Sequence, residues 1–371
     1  MTEGTRPARR ATTIADVARA AGVSRQTVSN ALNAPHRVHP DTLARVTAAI
    51  DRFGYRPDQS ARSLRTGERR TIGYLAPVDD PFDPNPLMAG FLEALVDAAG
   101  AEGHRVLLVR AAPGEARTRA AIDDLVAARQ VDGLVLADVL PEDARVAHAA
   151  RVGVPFASFG RTAPGLPQHW VDIDNAAATA EIARHLAERG HRRVGFVGSV
   201  VRTPGGPADG PADGAGSSPR PQAGPDAGPG SVAGAPVELP WLAARRAGFH
   251  REARRLGLEV VPVPEAGSLR TLLRGRDRPT ALAADNDLAA LDVYEAARAE
   301  GLLVGRDLAV TGFHDTPLGR HLYPPLTSVR LPLRGIAAAL VGLLLAQVRG
   351  EQVTGAGLEL PTELVVRASS G

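Results

Sequence analysis

The 371 residues contain no cysteine. That removes disulfides, cysteine-ligated zinc, iron–sulfur clusters and a thiol nucleophile together. Lysine is missing as well: all 43 cations are arginine, which we read as genomic base composition, not mechanism. No charge-free stretch of about 20 apolar residues occurs, so no transmembrane helix is expected. The longest apolar stretch, residues 336–348, is too short to span a bilayer and reads as a buried helix. No apolar run follows the N-terminal arginines, so no secretory leader is expected, and a reducing cytoplasm fits the missing thiols. G-x-S-x-G, H-E-x-x-H and P-loop signatures are missing too, and we expect no enzyme, no cofactor and no metal. The paired carboxylates Asp123–Asp124 read as a solvated helix face, and Asp79–Asp80 as a loop.

What is present suits a globular chain: 44% hydrophobic and 23% charged residues argue against wholesale disorder. At about 150 residues per domain the length suggests two or three compact units. The net charge of +2 is unevenly spread. Residues 1–70 hold thirteen arginines against six acids, a local +7, and the remainder holds 30 basic against 35 acidic side chains, or −5. A cationic end on a neutral-to-acidic body is the footprint of a nucleic-acid-binding head, the alternative being a solvated basic tail.

Residues 1–12 carry no apolar periodicity and read as a flexible arm. From Thr13 the pattern turns helical: Ile14, Val17, Ala18 and Ala21 recur at three- and four-residue spacing, with Thr13 as N-cap and Asp16 in the first turn. Gly22 stops this helix and Ser24 caps a second, over 25–32, whose apolar side is Val28, Ala31 and Leu32. A third runs from Pro40 to Phe53 and closes at Gly54. Two short helices joined by a tight glycine turn, followed by a third, make a helix-turn-helix. In that motif the first residues of the second helix face base edges. Arg25 suits a bidentate contact with guanine and Gln26 with adenine, while Thr27, Ser29 and Asn30 offer short donors and acceptors. From Thr71 strands and helices alternate, which predicts parallel sheets covered by helices, in a number that calls for two lobes. One stretch breaks the rhythm: residues 201–236 are almost all Gly, Pro, Ala, Ser and Asp, and read as a disordered surface insertion.

The run TTIADVARAAGVSRQTVSNALN, followed by RVHPDTLARVTAAIDRFGYRPDQSARSLRTGERRTIGYL, closely resembles the DNA-binding head of the LacI family of transcriptional regulators. GHRRVGFVG, ADNDLAAL, LAVTGFHDTPLG and YPPLTSVR resemble the same family in the same order, so the likeness covers about nine-tenths of the chain, residues 201–236 excepted. The resemblance implies a small all-α helix-turn-helix domain followed by α/β: two doubly wound parallel-sheet lobes, periplasmic-binding-protein-like, joined by three crossings. The implied division is a head over 13–56, a hinge helix and linker over 57–70, and an effector-binding and dimerisation domain over 71–371. Its N-lobe would take 71–173 plus 332–350, and its C-lobe 174–330 plus 353–371. It further implies a homodimer on pseudo-palindromic double-stranded operator DNA, a repressor most readily, with Leu64 of the hinge helix 58–64 wedged into the minor groove to kink the DNA. The implied DNA-contacting set is Thr13, Ser24, Arg25, Gln26, Thr27, Ser29, Asn30, Asn33, Arg37, Tyr55, Ala61 and Leu64.

Carried over by position, the small-molecule effector, a sugar or related metabolite, would meet Phe82, Arg161, Asp174, Arg245, Asn286 and His314. Asp287, beside Asn286, is expected to cap the following helix instead. His314 departs from the family, which commonly has an acid there that accepts from two sugar hydroxyls. A neutral imidazole offers one acceptor, so either the ligand differs, or Asp315 takes over, or His314 turns away. If His314 lines the pocket, affinity is expected to depend on pH near 6.5. Leu331 replaces a polar residue common in the family and is expected to make the pocket rim less polar. A stand-alone sugar-binding protein is the alternative function, but it leaves the basic head unexplained.

Overall fold

The structure is a computed structural model that describes residues 12–55, 68–76, 86–110, 115–198, 202–204, 233–236, 239–263, 269–353 and 357–371. Residues 1–11 of the expected arm, the hinge segment 58–64 with Ala61 and Leu64, Phe82, and residues 205–232 of the insertion lie outside them. The chain divides into two compact units, Met1–Arg69 and Arg70–Gly371.

The first unit holds α1 (Ile14–Ala21), α2 (Arg25–Asn33) and α3 (Pro40–Phe53). The three- and four-residue apolar spacing puts Val17, Ala18, Ala21, Val28, Val46 and Ala49 into one core, with Ile14, Val23, Leu32, Ile50 and Tyr55 packed around it. Gly22 ends α1 at φ 63°, left-handed backbone that a β-carbon disfavours, and this tight turn swings α2 across α1.

In the second unit two sheets share the work. The first joins β1 (Thr71–Ala76), β2 (Arg105–Arg110), β3 (Gly133–Leu136), β4 (Phe156–Phe159), β5 (Trp170–Ile173) and β13 (Gly357–Leu360), in the order β13-β5-β4-β3-β1-β2, all parallel. The second joins β6 (Arg193–Val197), β9 (Glu259–Val261), β10 (Ala281–Ala284), β11 (Ala309–His314), β12 (Thr327–Arg330) and β14 (Glu363–Val365), in the order β14-β12-β11-β10-β6-β9. Only β14 there runs antiparallel to its neighbour. The interior strands β3 and β10 are buried along their whole length because helices cover both faces. These helices are α4 (Pro86–Ala101), α5 (Glu115–Ala127), α6 (Ala144–Val152) and α12 (Leu333–Val348) around the first sheet. Around the second they are α7 (Asn175–Glu188), α8 (Pro240–Arg255), α9 (Leu269–Arg274), α10 (Asp287–Ala299) and α11 (Pro317–His321). The chain passes between the sheets three times: after β5, after β12 and after β13. Among the described residues no helix is long and apolar enough to cross a membrane.

The structure corrects the sequence reading in several places. Residues 353–371, expected wholly in the C-lobe, hold two strands that part company: β13 adds to β5 of the first sheet and β14 to β12 of the second. Pro361, which cannot donate to a ladder, lies between them. The range 353–371 is therefore split between lobes. Strands β9 and β12 and helices α9 and α11 were not expected, being too short for a periodicity to show. The ends of the presumed disordered insertion form an antiparallel pair, β7 (Arg202–Pro204) with β8 (Ala233–Pro236).

Candidate functional site

Each sheet reverses its strand order once, between β1 and β3 in the first and between β6 and β10 in the second. Ligands of open α/β sheets settle beyond the carboxyl ends of strands at such a reversal. Asp138, two residues past β3, and Asp285, one past β10, stand there. Both carboxylates, with Asp172 of β5, lie within electrostatic reach of Arg245 on α8, so the carboxyl ends of the two sheets face one shared site.

Arg245 is its centre. It is 4% exposed. Its Nε donates to Asn175 Oδ1 (2.9 Å), and its Nη1 donates to the Asp285 carbonyl (2.7 Å) and lies 3.2 Å from His314 Nε2. Its guanidinium carbon lies 3.7 Å from the Phe313 ring centre and 4.6 Å from that of Trp241, a cation held between two aromatic faces. Burial pushes its pKa down to about 10, well below the ordinary arginine range, against the pull of the nearby carboxylates. Thr179 Oγ1 of α7 donates to the Arg245 carbonyl at 2.8 Å, which fixes the backbone of α8 at this turn. Sequence reasoning found Arg245 and missed Asn175, Asp138, Asp172, Asp285, Trp241 and Phe313. For the acids and Asn175 the available signal was position, one or two residues beyond a strand or, for Asp172, next to its last residue.

The other expected effector residues fare differently. Arg161 is tied within the first lobe: Nε to Asp172 Oδ2 (3.2 Å), Nη1 to Glu359 (2.8 Å), and its plane over Trp170. Asp174 is exposed and caps α7, accepting from Ala177 N at 2.8 Å. Asn286, expected to read hydroxyls, is itself the cap of α10, its Oδ1 accepting from Ala289 N at 2.8 Å. Asp287 does not cap that helix. It is buried and accepts from Thr316 N, Thr316 Oγ1 and Ser328 Oγ, because the apposed β11–α11 turn and β12 present three donors there. Asp315 is not free to take over from His314: its buried carboxylate is held by Arg330, Arg367 and Arg320. Leu331 is 5% exposed and belongs to the core, not to a polar or apolar rim.

His314 turns toward Arg245, not away. Burial, then the Arg245 charge, pushes its imidazole well below the ordinary 6.5, so the expected titration near 6.5 does not occur there. Burial also lowers His185, His191 and His250. Below pH 6.5 the unfolded chain therefore binds more protons than the folded one, and stability is lost as the pH falls. Urea unfolding is expected to be flat from about pH 8 to 6.5 and to weaken below, each such histidine contributing up to about 1.4 kcal/mol per pH unit. His314→Gln should flatten the acid limb; an unchanged slope would show that His314 titrates normally.

In the head, Arg25 and Gln26 are exposed on the first turn of α2. Ser24 Oγ accepts from Thr27 N at 3.0 Å and lies 2.9 Å from Thr27 Oγ1, which secures that turn. Gln26 Nε2 donates to Asn30 Oδ1 at 3.1 Å, holding the two amides side by side one turn apart. Ser29 is half-buried on the same helix and Arg37 is exposed in the turn after it. Thr13 donates its backbone N–H and hydroxyl to Asp16, and Tyr55 packs against the head core. Asn33 ends α2, and its side chain lies outside the description.

Residues 13–58 match the bacterial regulatory proteins of the lacI family, and residues 70–205 match the periplasmic binding proteins and sugar binding domain of the LacI family. Residues 231–370 match a periplasmic binding protein-like domain. The chain is 30% identical to the HTH-type transcriptional repressor CytR of Escherichia coli, over 97% of this chain and 96% of that one. It is 28% identical to the transcriptional regulator CelR of Thermobifida fusca, over 97% and 99%. Among solved structures, a CelR–cellobiose complex superposes at TM-score 0.62 and 25% identity, covering 96% of this chain and 99% of that one. A lac repressor dimer bound to operator and an anti-inducer shares the fold at TM-score 0.74 and 24% identity, over 97% and 99%. The helix-turn-helix head, the two-sheet body and the full-length likeness agree: the chain belongs to the LacI family of DNA-binding transcriptional regulators.

Proposed function

We propose that the protein represses transcription in the cytoplasm as a homodimer, laying the 25–30 edge of α2 into the major groove of each half of a pseudo-palindromic operator. A sugar or related metabolite held between the α/β lobes sets the operator affinity, through unequal binding to two lobe arrangements. The observation that carries the reading is the capped first turn of α2, with Arg25 and Gln26 exposed on it, in one chain with a buried arginine set between aromatic rings. Guanidinium, amide and carboxylates around aromatic faces are the usual means of holding a polyhydroxylated ring. The relative CytR is named a repressor and CelR has been solved with cellobiose, which supports both halves. Arg161, Asp174, Asn286, His314 and Phe82 are proposed as further effector contacts, and Ala61 with Leu64 as contacts to the minor groove.

A mobility-shift titration with the upstream DNA against scrambled competitor tests the reading; no preference at moderate salt, with or without sugars, would sink it. Arg25→Ala is expected to weaken operator binding by about 1–3 kcal/mol, roughly 5- to 150-fold, and to leave random DNA nearly unaffected. Equal loss on both would make Arg25 a phosphate contact. Leu64→Ala is expected to reduce bending and operator affinity alone, which a circular-permutation gel reads directly.

A further inference from the structure

We infer that His314 acts as a hydrogen-bond donor to the effector, so that the cleft selects a ligand presenting a neutral acceptor oxygen, a carbonyl above all, at this point. The inference rests on the cleft being the effector site, and takes that reading down to one atom.

The ring is held in place. His314 ends β11 at φ 103° and Asp315 follows at φ 48°, two consecutive left-handed residues that are not glycine. Such backbone persists only where its surroundings hold it. Here Arg330 donates to Asp315 Oδ2 (2.7 Å), Arg367 donates to Oδ1, and Ser328 Oγ accepts from Asp315 N (3.0 Å). The Phe313 ring stands edge-on to the imidazole at 5.5 Å.

The tautomer follows from the partner. His314 Nε2 lies 3.2 Å from Arg245 Nη1. A guanidinium only donates, so Nε2 accepts, and a neutral ring then carries its proton on Nδ1. Protonating Nε2 as well would set two donors against each other beside a buried cation. Among the described residues Nδ1 has no partner, and neither has Arg245 Nη2, the other guanidinium nitrogens being engaged by Asn175, Asp285 and His314. Two donors on adjacent groups are thus left unused, and a ligand acceptor satisfies them. The acceptor is neutral for an electrostatic reason: Asp138, Asp172 and Asp285 already surround Arg245, and a carboxylate or phosphate would meet their field. An ammonium has no lone pair to offer Nδ1–H.

The test uses the full chain labelled with 15N-histidine, with His314→Gln identifying the resonance. Long-range 15N–1H correlation is expected to show the Nδ1–H tautomer, and Arg245→Met to shift it toward Nε2–H, a response that a purely packing role would not produce. An Nε2–H tautomer or an imidazolium in the unsubstituted protein overturns the inference. Thermal shifts with D-glucose, D-glucosamine, D-glucuronate, N-acetyl-D-glucosamine and uridine read the selectivity. The two neutral carbonyl probes are expected to rank first and the ammonium probe last; N-acetyl-D-glucosamine against uridine separates a carbonyl on a sugar from one on a base. In His314→Asp, which accepts only, the order of N-acetyl-D-glucosamine and D-glucosamine is expected to reverse, by about tenfold in apparent affinity. The same order in both proteins counts against a donor at 314. Operator binding that no probe alters would sink the effector reading and leave the tautomer result standing, so the two can fail separately.

Discussion

Arg245→Met is expected to leave operator binding intact and to abolish the response to effector. The guanidinium is enclosed by Phe313, Trp241, Asn175, the Asp285 carbonyl and His314, and none of these can substitute for its charge. A hydrogen bond to a charged group contributes about 1.5–3 kcal/mol, so its loss alone weakens binding roughly 10- to 150-fold. The effect on folding is smaller and has two signs. A folded-state pKa of about 10, below the ordinary arginine range, means burial penalises the charged form by about 3 kcal/mol at neutral pH, relieved as pH rises through 10. Methionine escapes that penalty but leaves Asn175 Oδ1 and the Asp285 carbonyl without their donor. Isothermal titration with a bound probe, beside urea unfolding of the same samples, separates the two effects. Arg245→Lys keeps the charge without the planar fork and is expected to fail as well. A methionine variant that responds at unchanged effector concentration would remove Arg245 from the site.

Gly248→Ala is expected to cost about 3 kcal/mol or more in stability and to blunt the effector response with it. Gly248 faces α7 at the crossing of α7 and α8, where an added β-carbon would lie 2.5 Å from Ala176 Cα and 2.7 Å from its carbonyl carbon. Backbone cannot swing aside as a side-chain end can, so the two helices must separate. Arg245 sits three residues back on α8, Asn175 begins α7, and both are set by this approach. Gly342→Ala is the contrast. It is exposed within α12 with nothing within 4 Å, and the same substitution there should stabilise by about 0.5–1 kcal/mol. Urea midpoints of the two variants are expected to move in opposite directions; movement together would mean the α7–α8 approach is looser than the structure shows.

The head was the more legible half of this protein. Its helices follow from local signals, an apolar residue every third or fourth position, Ser24 as a cap, Gly22 as a stop, and these are read within one or two turns of chain. The body's β-α-β rhythm was legible too, since strands buried on both faces leave apolar runs such as GLVL and ALAA. Elements of three to six residues, β9, β12 and α9, escaped because so short a window shows no period. The split of the C-terminal strand escaped because which sheet a strand joins is decided by edges it meets far away in sequence, here β5 and β12.

By itself the sequence determined where the positive charge gathers, which residues begin and end the recognition helix, that the body alternates strand and helix, and, by likeness, that Arg245 matters. Only the tertiary structure decided what each polar group near the cleft is bound to. Asn286 took the cap expected of Asp287, Asp287 was buried against Thr316 and Ser328, Asp315 was claimed by three arginines, and His314 lost its acceptor to Arg245. The reason is one of range. Periodicity and capping act between near neighbours along the chain, whereas Arg245, Asn175 and His314 lie 69 and 70 residues apart and meet only when two helices and a strand end converge.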